Sequence, residues 1–181
     1  MIVASDPNAL REQGAWTSCT ATVGNFDGVH RGHQALLSST VNSARERQVP
    51  AVAITFDPHP VSVLSARAPK ELCSTAQRLE YMEELGIDAV LLLPFTKELA
   101  SRGADDFCRH VLEESLAVSE LFVGYDFRMG RDQAGADALR ACIPHVTQVE
   151  AVLVDGAPVS STRIRKALAE EIGRASCRER V

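Results

Sequence analysis

A glycine-rich turn between an apolar run and a helical pattern is the feature that most constrains how this chain can fold. Cys19 to Val23 alternates polar and apolar residues, as expected for a strand. Residues 22–33 (TVGNFDGVHRGH) then pass through three glycines and enter a segment whose apolar residues recur at helical spacing. The succession of strand, tight turn and helix favours the start of a parallel α/β sheet.

The rest of the chain continues the alternation of strands and helices. Strand-like runs occur at 49–56, 89–93, 121–123 and 147–154, and helical patterns separate them. Ser74 to Gln77 reads as a capping box, with the helix stripe Ala76, Leu79, Met82 and Leu85 after it and Gly86 at its end. We therefore predict a parallel five-stranded sheet with helices on both faces. Residues 1–16 show little pattern and are expected to be a lead-in, and 61–72 an irregular segment.

Four loops that follow strands carry the unusual residues. They span 24–33, 57–60, 124–131 and 160–165. Ligands of parallel α/β sheets bind beyond the carboxyl ends of the strands, where such loops meet. We expect these four loops to converge on one crevice.

Two of these loops have the chemistry of a phosphate site. Glycine allows close backbone approach, and the first N–H groups of a helix attract anions. His30 and His33, three residues apart, are expected on one face of the first helical turn as donors to phosphate oxygens. Hydroxyls and an arginine at another helix start offer the same chemistry, here in residues 160–165 (SSTRIR).

Composition excludes several classes of protein. The chain has 181 residues and a net charge of −5, which disfavours a general nucleic-acid binder. Its longest apolar run is strand-sized, and the N-terminus lacks a signal-peptide pattern, so we expect a cytoplasmic protein without a membrane span. Five scattered cysteines without paired spacing argue against a disulfide framework or a zinc site. Those at 19, 73, 108 and 142 are interpreted as packing residues.

The long form of the glycine turn, GNFDGVHRGH, resembles the HxGH signature of the nucleotidyltransferase superfamily as found in FMN adenylyltransferase modules of bacterial riboflavin kinase/FAD synthetases. SSTRIR resembles the second signature of the same superfamily, and GYDFR at 124–128 resembles the family's flavin-side loop. The resemblance covers residues 18–170. It implies a Rossmann-like nucleotidyltransferase fold and transfer of AMP from ATP to FMN, giving FAD and pyrophosphate.

The resemblance also implies roles for individual residues. The catalytic set is His30, His33, Ser161, Thr162 and Arg165. The nucleotide-binding set is Gly24, Asn25, Phe26, Asp27, Gly28, Gly32 and Ser160. The flavin-binding set is Phe56, Pro58, His59, Pro60, Asp126, Phe127 and Arg128. Mg²⁺ would accompany ATP and keep most of its waters, so no metal site built from protein ligands is expected.

Other functions remain open from the sequence alone. Another adenylyltransferase of the superfamily could act on nicotinamide mononucleotide or phosphopantetheine, although the loops at 57–60 and 124–128 favour the flavin branch. A fragment that binds nucleotide or flavin without turnover is a second alternative. A zinc site at His30, His33 and His59 is a third, but no cysteine or carboxylate completes a ligand motif.

The C-terminal residues are treated separately. Residues 172–181 (IGRASCRERV) look like the translation of a sequencing adapter, so we expect the adenylyltransferase domain to span 1–171. The riboflavin kinase module that follows in the resembled family is absent from this chain.

Overall fold

The sheet of this computed structural model has six parallel strands, one more than the sequence pattern predicts. The structure describes residues 1–66 and 68–178, with side chains described up to residue 170, so the expectation about 172–181 falls outside the described side chains. The strands are β1 (Ile2–Ala4), β2 (Cys19–Val23), β3 (Ala51–Asp57), β4 (Ala89–Pro94), β5 (Val118–Gly124) and β6 (His145–Val149). Their order in the sheet is β1-β4-β3-β2-β5-β6.

Eight α-helices and a π-helical segment surround this sheet within the described part of the chain. They are α1 (Pro7–Gly14), α2 (Arg31–Arg47), α3 (Pro60–Leu64), α4 (Thr75–Glu84), α5 (Lys97–Ser101), α6 (Ala104–Phe107), a π-helix (Cys108–Ser115), α7 (Ala136–Leu139) and α8 (Ser161–Arg178). A short antiparallel hairpin of β7 (Leu153–Val154) and β8 (Ala157–Pro158) precedes α8.

Helices cover both faces of the sheet, as predicted. One buried cluster contains Leu37 and Ala44 of α2 together with Met82 of α4. The other contains Leu10 of α1 and Leu112 of the π-helix. Because both faces are covered, the central strand β2 is buried at every position, which is typical of a parallel sheet.

Three expectations about elements are wrong. The presumed lead-in at 1–16 contains β1, which pairs with β4, and α1, which begins with Asp6 as N-cap and a proline in its first turn. The expectation of an irregular segment at 61–72 is wrong only for residues 61–64, which belong to α3. The single strand expected at 147–154 is two strands in different sheets, because Asp155 and Gly156 both adopt positive φ and fold β7 onto β8 as a hairpin.

The cysteines are also partly corrected. Cys108 and Cys142 form a disulfide with their Cα atoms 6.4 Å apart, because the chain after α7 packs against the π-helix. Cys19 is fully buried, and burial raises the pKa of its thiol to about 12, so its packing role is confirmed. Cys73 is partly buried, and its sulfur accepts a hydrogen bond from the Gly28 N–H at 3.1 Å.

No helix in the described part of the chain is both long enough and apolar enough to cross a bilayer.

Candidate active site

A cavity of about 850 Å³ opens at the carboxyl edge of the sheet, between the loops that follow β2 and β5. The strand order reverses there, because β3 lies on one side of β2 and β5 on the other. All four loops singled out in the sequence contribute to its wall. Every residue assigned to the site from sequence lines the cavity except Gly28 and Pro58.

Those two exceptions have other surroundings. Gly28 has a φ of +79°, and a Cβ there would lie 2.9 Å from Leu72, so glycine is required by backbone conformation and packing. Pro58 is exposed between the end of β3 and α3. Neither residue is therefore in a position to contact a ligand in this cavity.

The two histidines of the glycine loop stack on each other. Their ring centroids are 3.6 Å apart with an interplanar angle of 16°. His30 is the N-cap of α2 rather than part of its first turn, and its Nδ1 accepts a hydrogen bond from the His33 N–H at 3.3 Å. In a neutral imidazole the proton then resides on Nε2, which makes that atom the donor. Gly32 allows this arrangement, since a Cβ there would lie 3.2 Å from the His30 ring.

Burial keeps both rings neutral. It lowers the pKa of His30, and the lowering is opposed by the ring's own backbone and by nearby carboxylates. At His33, burial and then the neighbouring His30 lower the pKa to about 3. The buried Nδ1 of His33 has no hydrogen-bond partner among the described residues. This pair can donate hydrogen bonds to a phosphate but does not bring a positive charge to it near neutral pH.

Asp27 connects the glycine loop to two distant segments. Its Oδ1 accepts from the backbone N–H of Leu72 at 2.8 Å, and its Oδ2 is paired with the guanidinium of Arg165. Its backbone carbonyl accepts the Ser161 hydroxyl at 2.9 Å. Arg165 in turn donates from Nε to the Lys70 carbonyl at 2.7 Å. Asp27 thus holds the start of α8 against the glycine loop, and both of its carboxylate oxygens already have protein partners.

Backbone N–H groups without partners concentrate at this junction. Within the described residues, those of Asn25, Phe26 and Asp27 make no hydrogen bond, and neither do those of Ser161 and Thr162 at the first positions of α8. Ser160 is the N-cap of α8, with its hydroxyl accepting from the Arg163 N–H at 3.2 Å. Consecutive free N–H groups and helix N-termini favour bound anions. The junction is therefore well suited to a polyphosphate.

The loop after β3 brings apolar surface to the same cavity. The rings of Phe56 and Phe95 meet edge to face with centroids 5.4 Å apart. His59 is buried as the N-cap of α3, where its Nδ1 accepts from the Val61 N–H at 3.2 Å, and burial lowers its pKa. Pro60 follows as the first residue of α3 and lines the cavity. These residues offer aromatic and apolar groups suited to packing against an aromatic ring.

The loop after β5 presents two exposed charged side chains. Asp126 and Arg128 are exposed at the cavity, and among the described residues Arg128 donates only to the neighbouring Phe127 carbonyl, at 2.7 Å. Phe127 packs partly against the core, as its apolar side chain requires. Both charges are therefore available to a ligand.

One residue that supports the wall of this cavity escaped the sequence analysis. Arg78, in α4, is 6% exposed and reaches both the glycine loop and the end of β3. The sequence analysis assigned Ala76 to the buried stripe of α4, but Ala76 is exposed in the structure. The buried residues of α4 are Arg78 and Met82, which lie one turn apart. A charged residue at the spacing of a buried stripe was the signal that could have revealed it.

The fold is that of a Rossmann-like α/β protein whose cavity lies beside a glycine-rich loop. Comparison with known proteins is more specific, since the model of the FAD synthetase family matches residues 12–163. The chain belongs to the FAD synthetase family.

The bifunctional riboflavin kinase/FMN adenylyltransferase of Escherichia coli K12 is 36% identical over 159 residues, covering 84% of this chain and 51% of that protein. The protein of that name from Pseudomonas fluorescens is 40% identical over 156 residues, covering 83% and 50%. The chain thus spans about half the length of these curated relatives.

Solved structures agree on the fold. A structure described as a macrolide-efflux protein from Streptococcus pneumoniae has a TM-score of 0.81 at 27% identity, covering 92% of this chain and 56% of that one. Pantoate-beta-alanine ligase from Francisella tularensis has a TM-score of 0.55 at 14% identity, covering 90% and 72%. The latter likeness concerns the fold alone. The Rossmann-like nucleotidyltransferase architecture expected from the sequence is confirmed, apart from the number of strands.

Proposed function

We propose that this domain is an ATP:FMN adenylyltransferase, which transfers AMP from ATP to FMN and releases FAD and pyrophosphate. The observation that carries the proposal is that two chemically different surfaces line one cavity. One surface has free backbone N–H groups and the N-termini of α2 and α8, and the other has Phe56, Phe95 and Pro60. A triphosphate and an aromatic flavin need such surfaces side by side.

The transfer needs alignment and charge stabilisation more than covalent chemistry. A phosphate oxygen of FMN attacks the α-phosphorus of ATP, a new P–O–P bond forms, and the bond from the α-phosphorus to the bridging oxygen breaks as pyrophosphate leaves. In this proposal the Nε2–H of His30 and the ring of His33 donate to the ATP phosphates while charge develops on them. Mg²⁺ enters with ATP as part of the substrate and shields the β- and γ-phosphates.

The second signature receives the leaving group. Ser161 and Thr162 supply hydroxyls and free N–H groups at the start of α8. Arg165 donates hydrogen bonds from Nε and Nη2 to protein oxygens, whereas Nη1 has no partner among the described residues. We therefore assign Nη1 to the pyrophosphate. Gly24, Asn25, Phe26 and Gly32 bring the backbone close to the nucleotide. Asp27 and Ser160 act by fixing the start of α8.

The flavin side of the proposal uses residues from two loops. Phe56, His59, Pro60 and Phe127 border the isoalloxazine ring, and Asp126 and Arg128 make polar contacts with the flavin or its phosphate. By the names of the relatives, the other half of the longer protein carries riboflavin kinase activity, which would supply the FMN phosphate.

A panel of acceptors tests this function. The protein is incubated with ATP and Mg²⁺ together with FMN, riboflavin or nicotinamide mononucleotide, and the products are separated by chromatography. We expect a dinucleotide product from FMN only. Product from nicotinamide mononucleotide instead would assign the cavity to another acceptor, and ATP binding without any product would identify a binding fragment.

A further inference from the structure

Arg78 is a buried cation without a carboxylate partner. Arg78 is 6% exposed, and it forms no ion pair with any residue in the described part of the chain. Its Nε is buried and has no hydrogen-bond partner there either. Buried charges are normally paired, because transfer of an isolated charge from water is costly. An unpaired one beside a cavity needs an explanation.

The guanidinium bridges the two surfaces of the proposed site. Nη1 donates to the Asn25 carbonyl in the glycine loop at 2.7 Å. Nη2 donates to the Phe56 carbonyl at the end of β3 at 3.0 Å and to the Thr75 hydroxyl at 3.3 Å. One rigid, planar group thereby fixes the distance between the nucleotide loop and the flavin-side strand.

The bond to Asn25 also sets the direction of a neighbouring N–H. The carbonyl of Asn25 and the N–H of Phe26 belong to one planar trans peptide and point in opposite directions. Fixing the carbonyl towards Arg78 therefore turns the Phe26 N–H away from it, and this N–H is one of the free donors of the glycine loop. Phe26 adopts a φ of +50°, which is unfavourable for a residue with a side chain and needs support from its surroundings. Thr55 adds a second donor to the same carbonyl at 3.2 Å.

The charge of Arg78 acts on groups around the cavity. Burial is the main cause that lowers the pKa of His59, and the charges of Arg165 and Arg78 lower it further, while nearby carboxylates oppose the shift. Since no carboxylate neutralises Arg78 directly, its positive potential remains available to an anionic ligand.

We propose that Arg78 is a positioning residue for ATP: its bond to the Asn25 carbonyl presents the backbone N–H groups of the glycine loop to the phosphates, and its unpaired charge favours their binding. The proposal rests on the proposed function for the identity of the nucleotide. It assigns Arg78 no direct contact with substrate. Loss of the side chain should weaken ATP binding more than FMN binding.

Direct binding tests this role without turnover. Titration of the whole chain with α,β-methylene-ATP and Mg²⁺ gives the nucleotide Kd, and a separate titration with FMN gives the flavin Kd. For Arg78→Met we expect the nucleotide Kd to rise about tenfold or more and the FMN Kd to change less than about threefold. Arg78→Lys keeps the charge and one donor and should recover part of the affinity. In turnover assays the KM for ATP should be lowest for wild type, higher for Arg78→Lys and highest for Arg78→Met.

Two further variants separate positioning from general destabilisation. Thr55→Val removes the other donor to the Asn25 carbonyl and should raise the nucleotide Kd in the same direction by a smaller factor, which keeps the test valid if Arg78→Met does not fold. Arg45→Met removes an exposed arginine that bonds Asp88 and the Gly86 carbonyl at a separate site. It should leave the nucleotide Kd unchanged.

Unchanged nucleotide binding in folded Arg78→Met would overturn the proposal, and so would equal losses of nucleotide and FMN affinity. Binding of Arg78→Lys equal to wild type would show that charge alone matters and would overturn the positioning role. If the wild-type chain binds the analogue but makes no FAD, the proposed function fails while these comparisons still decide the role of Arg78.

Discussion

At the scale of single residues, the site combines neutral histidine donors with positively charged arginines. His30 and His33 stack as uncharged rings, while formal positive charge at the cavity comes from lining arginines such as Arg128 and Arg165, and Arg78 lies behind the cavity wall. A neutral imidazole binds phosphate less tightly in the ground state than an imidazolium does, but its hydrogen bond strengthens as charge develops on the phosphate. The histidines are therefore expected to contribute mainly to the transition state.

Replacement of either histidine should lower turnover rather than flavin binding. We expect His30→Ala and His33→Ala each to reduce kcat about 100-fold, because each removes a donor to the developing charge. The FMN Kd, measured by quenching of flavin fluorescence, should stay within about threefold of wild type. Exposed His145 provides the control, and His145→Ala should retain wild-type kcat. Equal losses of FMN binding in both site variants would show that their role is misassigned.

The buried state of His33 predicts a pH dependence of stability. The unfolded chain takes up a proton near pH 6.5, whereas burial prevents His33 from doing so in the folded protein until about pH 3. Since the unfolded state binds more protons in this interval, the free energy of unfolding should fall as the pH drops below about 6.5, by up to about 1.4 kcal/mol per pH unit. Denaturant unfolding at pH 7, 6 and 5 measures it. His33→Asn should show a shallower fall than wild type, and an identical slope would contradict the assignment.

Asp27 allows a comparison between a buried and an exposed ion pair. Its carboxylate is almost fully buried against Arg165, so Asp27→Asn should lower the free energy of unfolding by about 2 to 4 kcal/mol. Asp137→Asn breaks an exposed pair with Arg140 and should cost less than about 1 kcal/mol. Urea denaturation measures both. Equal effects would mean that Asp27 does not connect the loop to α8.

At the scale of elements, sequence patterns located the strands that bury both faces and the helices that follow them. β2 has the predicted boundaries, and α4 begins at the predicted capping box of Ser74 and Gln77, because buried strands and helix starts have strong local patterns. β1 was missed because it is a three-residue edge strand whose pairing with β4 is not encoded locally. The pairing of Cys108 with Cys142 was missed because it depends on how α7 docks.

Two glycines with the same backbone conformation test what the loop after β5 requires. Gly130 and Gly156 both have a φ of +73°, but a Cβ at Gly130 would lie 2.4 Å from the Ala104 nitrogen, whereas Gly156 has open space. Gly156→Ala should cost about 1 kcal/mol from backbone strain alone. Gly130→Ala should cost clearly more and also weaken FMN binding, because α6 and the loop must separate. Thermal unfolding and FMN titration measure both, and similar costs would contradict the close packing.

At the scale of the whole molecule, the sheet gathers distant parts of the sequence into one cavity. The four loops predicted from motifs supply about half of its lining, because glycine turns and helix starts are local features that sequence reveals. The bond from Arg78 to the glycine loop and the partners of Asp27 could not be predicted, because these contacts join segments 45 to 138 residues apart in the sequence and depend on packing. The volume of the cavity and the contribution of Phe95, which lies outside the four predicted loops, became visible only in three dimensions.

The fate of the α-phosphate tests the central claim most directly. The protein is mixed with FMN, Mg²⁺ and ATP labelled with ³²P at the α-position, and the products are separated after a single turnover. We predict that the label appears in FAD and that pyrophosphate is unlabelled. Label remaining in ATP, or released as AMP without FAD, would contradict adenylyl transfer to FMN in this cavity.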